Sequence, residues 1–415
     1  MRTDPAQTED AALPVLNLER PGCGVASLQI WIGAGSRAEY PRHPGSGLAH
    51  FLEHMVFKGT DRRTAADINR EAERLGGFLN AYTSYDRTVY HIDLPAESAA
   101  AGLDLLADFV WRPSLAREGF APEREVILRE MAMCRDDPDN HLFESVLAAA
   151  FHRDPLRFPV IGREERFRRL VPDDLRDFHG RFYRGRGSFL LAAGDLPAGF
   201  RERARSVVPA PPARVEPPAP PAAPAEDPEP VRLRLRGRWE GGRGLLLFLV
   251  PTPTPQEALL AEWVLETLAG GESAPLNRVL RIEEGLVHFL EGFSHPLGPV
   301  SLLGFSWLAD ASRLVRAEER LLAELDRLAA RGVGAEAMRA GKDRLRFEKL
   351  RTEQSVEGWA SRRGEEFLRF GRVLDEAGTF AALDGWGETD WKDFAARRLC
   401  PERAMTGALF PEGGS

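Results

Sequence analysis

The sequence predicts an α+β protein made of two structurally similar halves, each a layer of strands covered by helices. Three observations predict it. The chain has 415 residues, too many for one ordinary core and enough for two to four domains. A proline-dense segment, PAPPARVEPPAPPAAPAEDPEP, occupies Pro209 to Pro230 near the middle. Proline at this density removes backbone donors and keeps the chain extended, so the segment reads as a semi-rigid linker. Both flanking halves run strand, long helix, strand, long helix, which suggests duplication although no residue-level repeat is visible. The expected division is a first domain at 1–208, the linker at 209–230 and a second domain at 231–415.

The elements follow in order. Val25 to Ile32 (VASLQIWI) is rich in β-formers and runs into Gly33, Gly35 and Ser36. Leu79 to Thr83 has strand-like content after the Gly76-Gly77 turn. Thr88 to Leu94 (TVYHIDL) alternates apolar and polar residues, as a half-buried strand does. Ser98 to Phe109 carries apolar residues at helical spacing. Phe189 to Ala193 ends at Gly194-Asp195, a strand-then-turn pattern. In the second half, Gly244 to Val250 (GLLLFLV) predicts a buried strand and Pro255 to Leu268 a helix. Val300 to Trp307 predicts another strand, and Ala311 to Ala330 a long amphipathic helix.

Composition narrows the functional classes. Hydrophobic residues make up 43% and charged residues 28%, with net charge −8. These values suit a globular protein and exclude a wholly disordered one. No basic block stands apart, which argues against nucleic acid as a partner. Lysine occurs only at Lys58, Lys342, Lys349 and Lys392; the other basic residues are arginines, read here as a coding bias. Cys23, Cys134 and Cys400 are too scattered for a disulfide framework or a cysteine zinc site. MRTDPAQTED carries no apolar signal region, and the longest apolar stretch, Leu245 to Val250, is far short of the ~20 residues a membrane span needs. The expectation is a cytoplasmic protein with no membrane partner.

The most informative stretch is His50-Phe51-Leu52-Glu53-His54. On a helix, residues i and i+4 leave the same face, so both imidazoles can reach one Zn²⁺. Glu53 lies near that face and can take a proton from a water without being a ligand. Ser46 is the expected N-cap, and Leu48, Leu52 and Met55 supply an apolar side. H-x-x-E-H reverses the commoner metalloprotease order. Taken alone, the pair fits a solvated helix face equally well.

Two histidines leave zinc short of a third protein ligand, and an anionic one is favourable. In Ala121 to Asp139 (APEREVILREMAMCRDDPD), Pro122 suits the first turn of a helix. Glu123 and Glu130 are two turns apart on one face, and Val126 and Ile127 point to partial burial of Glu130. The same spacing also describes an ordinary exposed acidic face.

At this point the sequence resembles a known family, the inverzincin peptidases of the pitrilysin, insulin-degrading-enzyme and mitochondrial-processing-peptidase group (peptidase family M16), and most of all its shorter, half-length bacterial members. The resemblance rests on GLAHFLEHMVFKGT (Gly47 to Thr60), GGFLNAYTSYDRTVYHIDLP (Gly76 to Pro95), EREVILREMAMCRDDPDN (Glu123 to Asn140), PVIGREERFRRLVPDDLRDFHGRFY (Pro159 to Tyr183) and GDL at Gly194 to Leu196. These span most of the first half in the family's order. The resemblance implies His50, His54 and Glu130 as zinc ligands, Glu53 as general base and Glu123 as a supporting acid. It implies a LuxS/MPP-like metallohydrolase fold of two similar halves. It implies that Asn80 and Ala81, on an edge strand, hold extended peptide substrate by β-addition. Phe57 matches a residue lining the pocket past the cleaved bond, and also reads as a core residue. Cys134 reads as a packing residue, because a metal-activated water needs no covalent nucleophile.

The second half departs from the family. Where the family has an Arg and, seven residues later, a Tyr that reach the substrate, Leu280 to His288 (LRIEEGLVH) keeps Arg281 but has His288. Either His288 does the Tyr's work roughly, or a partner completes the site. The expected function is a zinc-dependent endopeptidase acting on peptides or unfolded segments, as a homodimer or as the zinc-bearing subunit of a heterodimer whose sister carries the Arg/Tyr pair. The alternative is a non-catalytic, peptide-binding or regulatory subunit of such a complex.

Overall fold

A computed structural model of the protein describes residues 13–183, 187–209 and 222–412. Most of the expected linker, 210–221, lies outside the described residues. Among the described residues there are two five-stranded mixed sheets. The first comprises β1 (Val15–Glu19), β2 (Val25–Ile32), β3 (Phe78–Thr83), β4 (Thr88–Pro95) and β5 (Phe189–Gly194) in the order β1-β5-β2-β4-β3. The second comprises β6 (Val231–Gly237), β7 (Gly242–Pro251), β8 (Phe289–Leu297), β9 (Val300–Ala309) and β10 (Met405–Pro411) in the order β6-β10-β7-β9-β8. In chain order these two arrangements are the same. The orientations match as well: β1 with β5 and β6 with β10 run parallel, and the other neighbours antiparallel. The expected two-fold α/β-layer architecture is therefore present as a repeat of topology.

The chain forms two compact units, and each draws on both halves of the sequence. Among the described residues, one comprises 13–132, 158–183, 187–209, 222 and 352–373; the other comprises 133–157, 223–351 and 374–412. In the first unit, α1 (Leu48–Val56), α2 (Ala65–Arg74) and α3 (Ala99–Trp111) cover one face of the sheet. The helix Val356–Phe370 covers the other, with Trp359, Ala360 and Leu368 against Trp31 and Phe189. Gly364 makes that contact close, since a Cβ there would come within 2.3 Å of the Trp31 ring. In the second unit, the helices Pro255–Ala269 and Leu314–Arg331 bury Trp263, Leu268, Leu321 and Leu325 over one face. On the other face α5 (Pro138–Ala150) sets Leu142 and Val146 against Gly407 of β10.

Strands β2 and β4 stand where the sequence predicts them, and β2 pairs with β4 from Val25↔Pro95 to Ile32↔Thr88. Strand β4 is not half-buried as its alternation predicts, because helices cover both faces of the sheet and only Asp93 and Pro95 are partly exposed. Two other local expectations are corrected. Pro122 is not in a first turn: α4 (Arg117–Asp136) begins five residues earlier and contains Pro122. Burial of Phe120 on Phe51, with ring centroids 4.8 Å apart, draws the chain into helix before the proline. Ser46 does not cap α1; Gly47, at φ 73°, occupies that position. A Cβ at Gly47 would meet the Ile161 carbonyl oxygen at 2.1 Å, so neither conformation nor space admits another residue.

A candidate metal centre on helix α1

The segment 48–56 is helical because its apolar residues recur at helical spacing, and Leu48, Phe51, Leu52 and Met55 are all buried. Its unpaired N-terminal N–H groups go to one carboxylate. Glu39 Oε2 accepts from the Ser46 and Gly47 amides at 2.9 and 3.1 Å and from Ser46 Oγ at 3.1 Å; Oε1 accepts from the Ala49 amide at 3.1 Å. Ser46 is thus a donor to the cap rather than the cap itself. Burial is the dominant influence on Glu39 and pushes its carboxyl up to about 7, against the opposing pull of these hydrogen bonds.

A stability prediction follows. Folded Glu39 keeps its proton to about pH 7, whereas the unfolded chain releases it near 4.5. Unfolding sheds a proton between those values, so this group's contribution to stability falls as pH rises through that window, by about 3 kcal/mol in total. Relative to Glu39→Gln, the wild-type chain should lose thermal stability steadily across this range. Parallel melting curves of the two proteins, with a difference independent of pH, would contradict it.

His50 and His54 leave α1 toward α4, and Glu53 toward the end of β3. On α4, Phe120, Glu123, Ile127, Glu130 and Met131 share the inward face. Phe120, Ile127 and Met131 are buried, and they fix how α4 lies on α1. That packing brings Glu130 to the histidines. His50 Nε2 is 3.5 Å from Glu130 Oε1, and His54 Nε2 is 3.5 Å from Glu130 Oε2. One donor atom from each of the three lies within 4.8 Å of the others. These separations exceed good hydrogen-bond lengths of 2.7–3.2 Å. They are close to the edge of about 3.3 Å expected between two ligands held tetrahedrally at 2.0–2.1 Å from zinc. Two imidazoles and a carboxylate are also the donor types of three-ligand catalytic zinc sites. Geometry and chemistry therefore both fit a divalent ion.

His54 Nδ1 donates to Glu123 Oε1 at 2.9 Å, which turns Nε2 toward Glu130. Lys58 Nζ meets the other oxygen, Oε2, at 2.5 Å. Burial pushes the Glu123 carboxyl up, but the hydrogen bonds from His54 and Lys58 and their charges outweigh it, so it sits below the usual carboxylate range. Burial likewise pushes His54 down, and its hydrogen bond with Glu123 and the charges of Glu53, Glu130 and Glu123 bring it above the usual imidazole value.

Glu53 is buried, and Thr83 Oγ1, at the end of β3, donates to its Oε2 at 2.5 Å. Thr83 fell within a strand read from the sequence but had no role there; a hydroxyl contacting a carboxylate thirty residues away leaves no local pattern. Asn80 and Ala81 lie on β3, an edge strand of the sheet, where Asn80 Oδ1 accepts from the Ala81 amide at 2.9 Å. Phe57, just past α1, packs against Tyr90 and Phe109 at 6.0 and 5.1 Å between centroids. Arg281 and His288 belong to the other unit. Arg281 pairs with Glu272 at 3.0 Å, and His288 with Asp310 at 3.2 Å. The other histidines include satisfied ones: His179 Nε2 donates to the Val110 carbonyl and His91 Nδ1 to Asp93.

Comparison with known proteins bears on the whole chain. Residues 15–164 match the family model for Insulinase (Peptidase family M16), and residues 169–345 match that for the Peptidase M16 inactive domain. An uncharacterized zinc protease of Mycobacterium leprae is 29% identical over 395 residues, 91% of this chain and 85% of that protein. One from Rickettsia bellii is 35% identical over 184 residues, and the match covers 44% of each chain. A probable mitochondrial-processing peptidase subunit beta of Arabidopsis thaliana is 37% identical over 169 residues, 41% of this chain and 32% of that one. A crystal structure of a peptidase M16 inactive domain from Pseudomonas fluorescens superposes with a TM-score of 0.88 at 16% identity, covering 100% of this chain and 99% of that one. Among the described residues no helix is long and apolar enough to cross a membrane. With two family models in tandem and the same fold from end to end, the chain belongs to peptidase family M16.

Proposed function

We propose that the chain is a zinc-dependent endopeptidase acting on peptides or unfolded segments, with His50, His54 and Glu130 as ligands and Glu53 as general base. The observation that carries this reading is the convergence of three side chains that could hold a metal ion, next in the chain to a buried carboxylate that is not one of them. Zinc, when bound, supplies Lewis-acid polarisation of the scissile carbonyl and of the attacking water. Thr83 holds Glu53 Oε2, which leaves Oε1 to take the proton from that water and later pass it to the leaving amine. Extended substrate adds to the β3 edge at Asn80 and Ala81, where backbone hydrogen bonds serve many sequences. Phe57 borders the pocket past the cleaved bond.

Arg281 and His288 are proposed to contribute only weakly to catalysis in this chain. Their charged neighbours Glu272 and Asp310 compete for them, and His288 offers one donor where the family has a phenol. That supports a heterodimer in which this chain bears the zinc and a sister subunit supplies the Arg/Tyr pair; one relative is by name a subunit beta. A homodimer is the other outcome. The test is a panel of quenched peptides assayed with and without a co-encoded sister chain. Cleavage should vanish on chelation and return with added zinc. Stoichiometric zinc without cleavage in either arm would leave the non-catalytic subunit reading standing instead.

A further inference from the structure

Lys58 is one of four lysines among 55 basic residues. It follows α1 by two residues, four beyond His54, and its side chain is about one-third exposed. Its ammonium contacts Glu123 Oε2 at 2.5 Å, and Glu123 Oε1 receives His54 Nδ1 at 2.9 Å. Both oxygens of a buried carboxylate are thereby engaged, one by a cation and one by an imidazole.

We propose that Lys58 is a positioning residue for the metal centre, acting through Glu123 to hold His54 with Nε2 presented to a divalent ion. The inference rests on the metal-centre reading above and extends it by one residue. A histidine that ligates through Nε2 carries its proton on Nδ1, and the group accepting that proton sets the tautomer and ring angle. A buried carboxylate lacking a second partner is costly, and relieves the cost by rotating toward other donors or water. The Lys58 ammonium on Oε2 prevents that rotation and keeps Oε1 on His54 Nδ1. As a compact point charge it meets one oxygen without competing for the other, which a bidentate guanidinium would do. The lysine in an arginine-rich chain then has a physical reason, and the coding-bias reading does not extend to this position.

The experiment is zinc affinity of the full chain, measured by competition with a chromophoric chelator. Lys58→Met should weaken binding on the order of tenfold, with stoichiometric zinc still reached at saturation. Lys58→Arg should recover part of the loss, and keeps a folded comparison available if the Met variant is unstable. In a Glu123→Gln background, Lys58→Met should cost little more, because the path it acts through is already cut. A merely structural role would lower the melting temperature and the affinity alike in both backgrounds. Wild-type affinity in Lys58→Met, or an equal loss with and without Glu123→Gln, overturns the inference. Zinc binding indifferent to His50→Ala removes the metal-centre reading and this inference with it; binding lost in His50→Ala but unchanged in Lys58→Met removes this inference alone.

Discussion

Glu53→Gln should lower the turnover number for an unstructured peptide by about 10²- to 10⁴-fold while leaving zinc content at the wild-type level. The substitution is nearly isosteric. A glutamine can still accept the Thr83 hydroxyl, so the α1 to β3 contact survives. What it cannot do is take a proton from water at neutral pH. The loss should therefore fall on kcat, with KM little changed, because a proton-transfer role is exercised only on the way to the transition state. Thr83→Val should give a smaller loss in the same direction, since it frees the carboxylate without abolishing it, and Thr83→Ser should restore activity. Metal analysis alongside steady-state kinetics checks both. A Glu53→Gln protein that retains normal turnover, or that loses zinc in proportion to activity, would remove Glu53 from the role of base.

Glu130→Ala should reduce zinc affinity by more than about 100-fold, beyond what loss of a supporting residue costs. Glu130 supplies the only negative charge among the three candidate ligands, and each of its oxygens faces one histidine at 3.5 Å. Without it, two neutral imidazoles must hold a dication with no charge compensation from a ligand. Its side chain is partly exposed while Ile127 and Met131 carry the packing of α4, so folding should survive the change. Chelator competition with a melting curve separates the two effects. Unaltered affinity in a folded Glu130→Ala protein would exclude the three-ligand centre.

Parts of this architecture are visible in local sequence. Thr88 to Leu94 reads as a strand because its alternation matches the two-residue repeat of the pleat, and a strand over Thr88–Pro95, paired with β2, is found there. His50, Glu53 and His54 read as one helix face because 3.6 residues per turn puts them there. Strands β1, β6, β8 and β10 have no counterpart among the sequence expectations, although VRLRLRG in β6 alternates cleanly. Its arginines and edge position disguised it. The duplication escaped residue-level comparison because a sheet order is kept by hydrophobic pattern and connection, which many sequences satisfy.

By itself the sequence determined the periodic elements, the paired imidazoles and the family motifs, since each depends on residues within a turn or two of one another. Tertiary structure alone decided which distant groups meet them. Glu39 reaches the α1 N-terminus, Thr83 reaches Glu53, and Lys58 reaches Glu123 only through the packed path of the chain. Backbone geometry sets local spacing. Contacts between elements are set by which apolar faces bury together, here Phe51 on Phe120, and a polar neighbour brought in by that burial leaves no periodic trace.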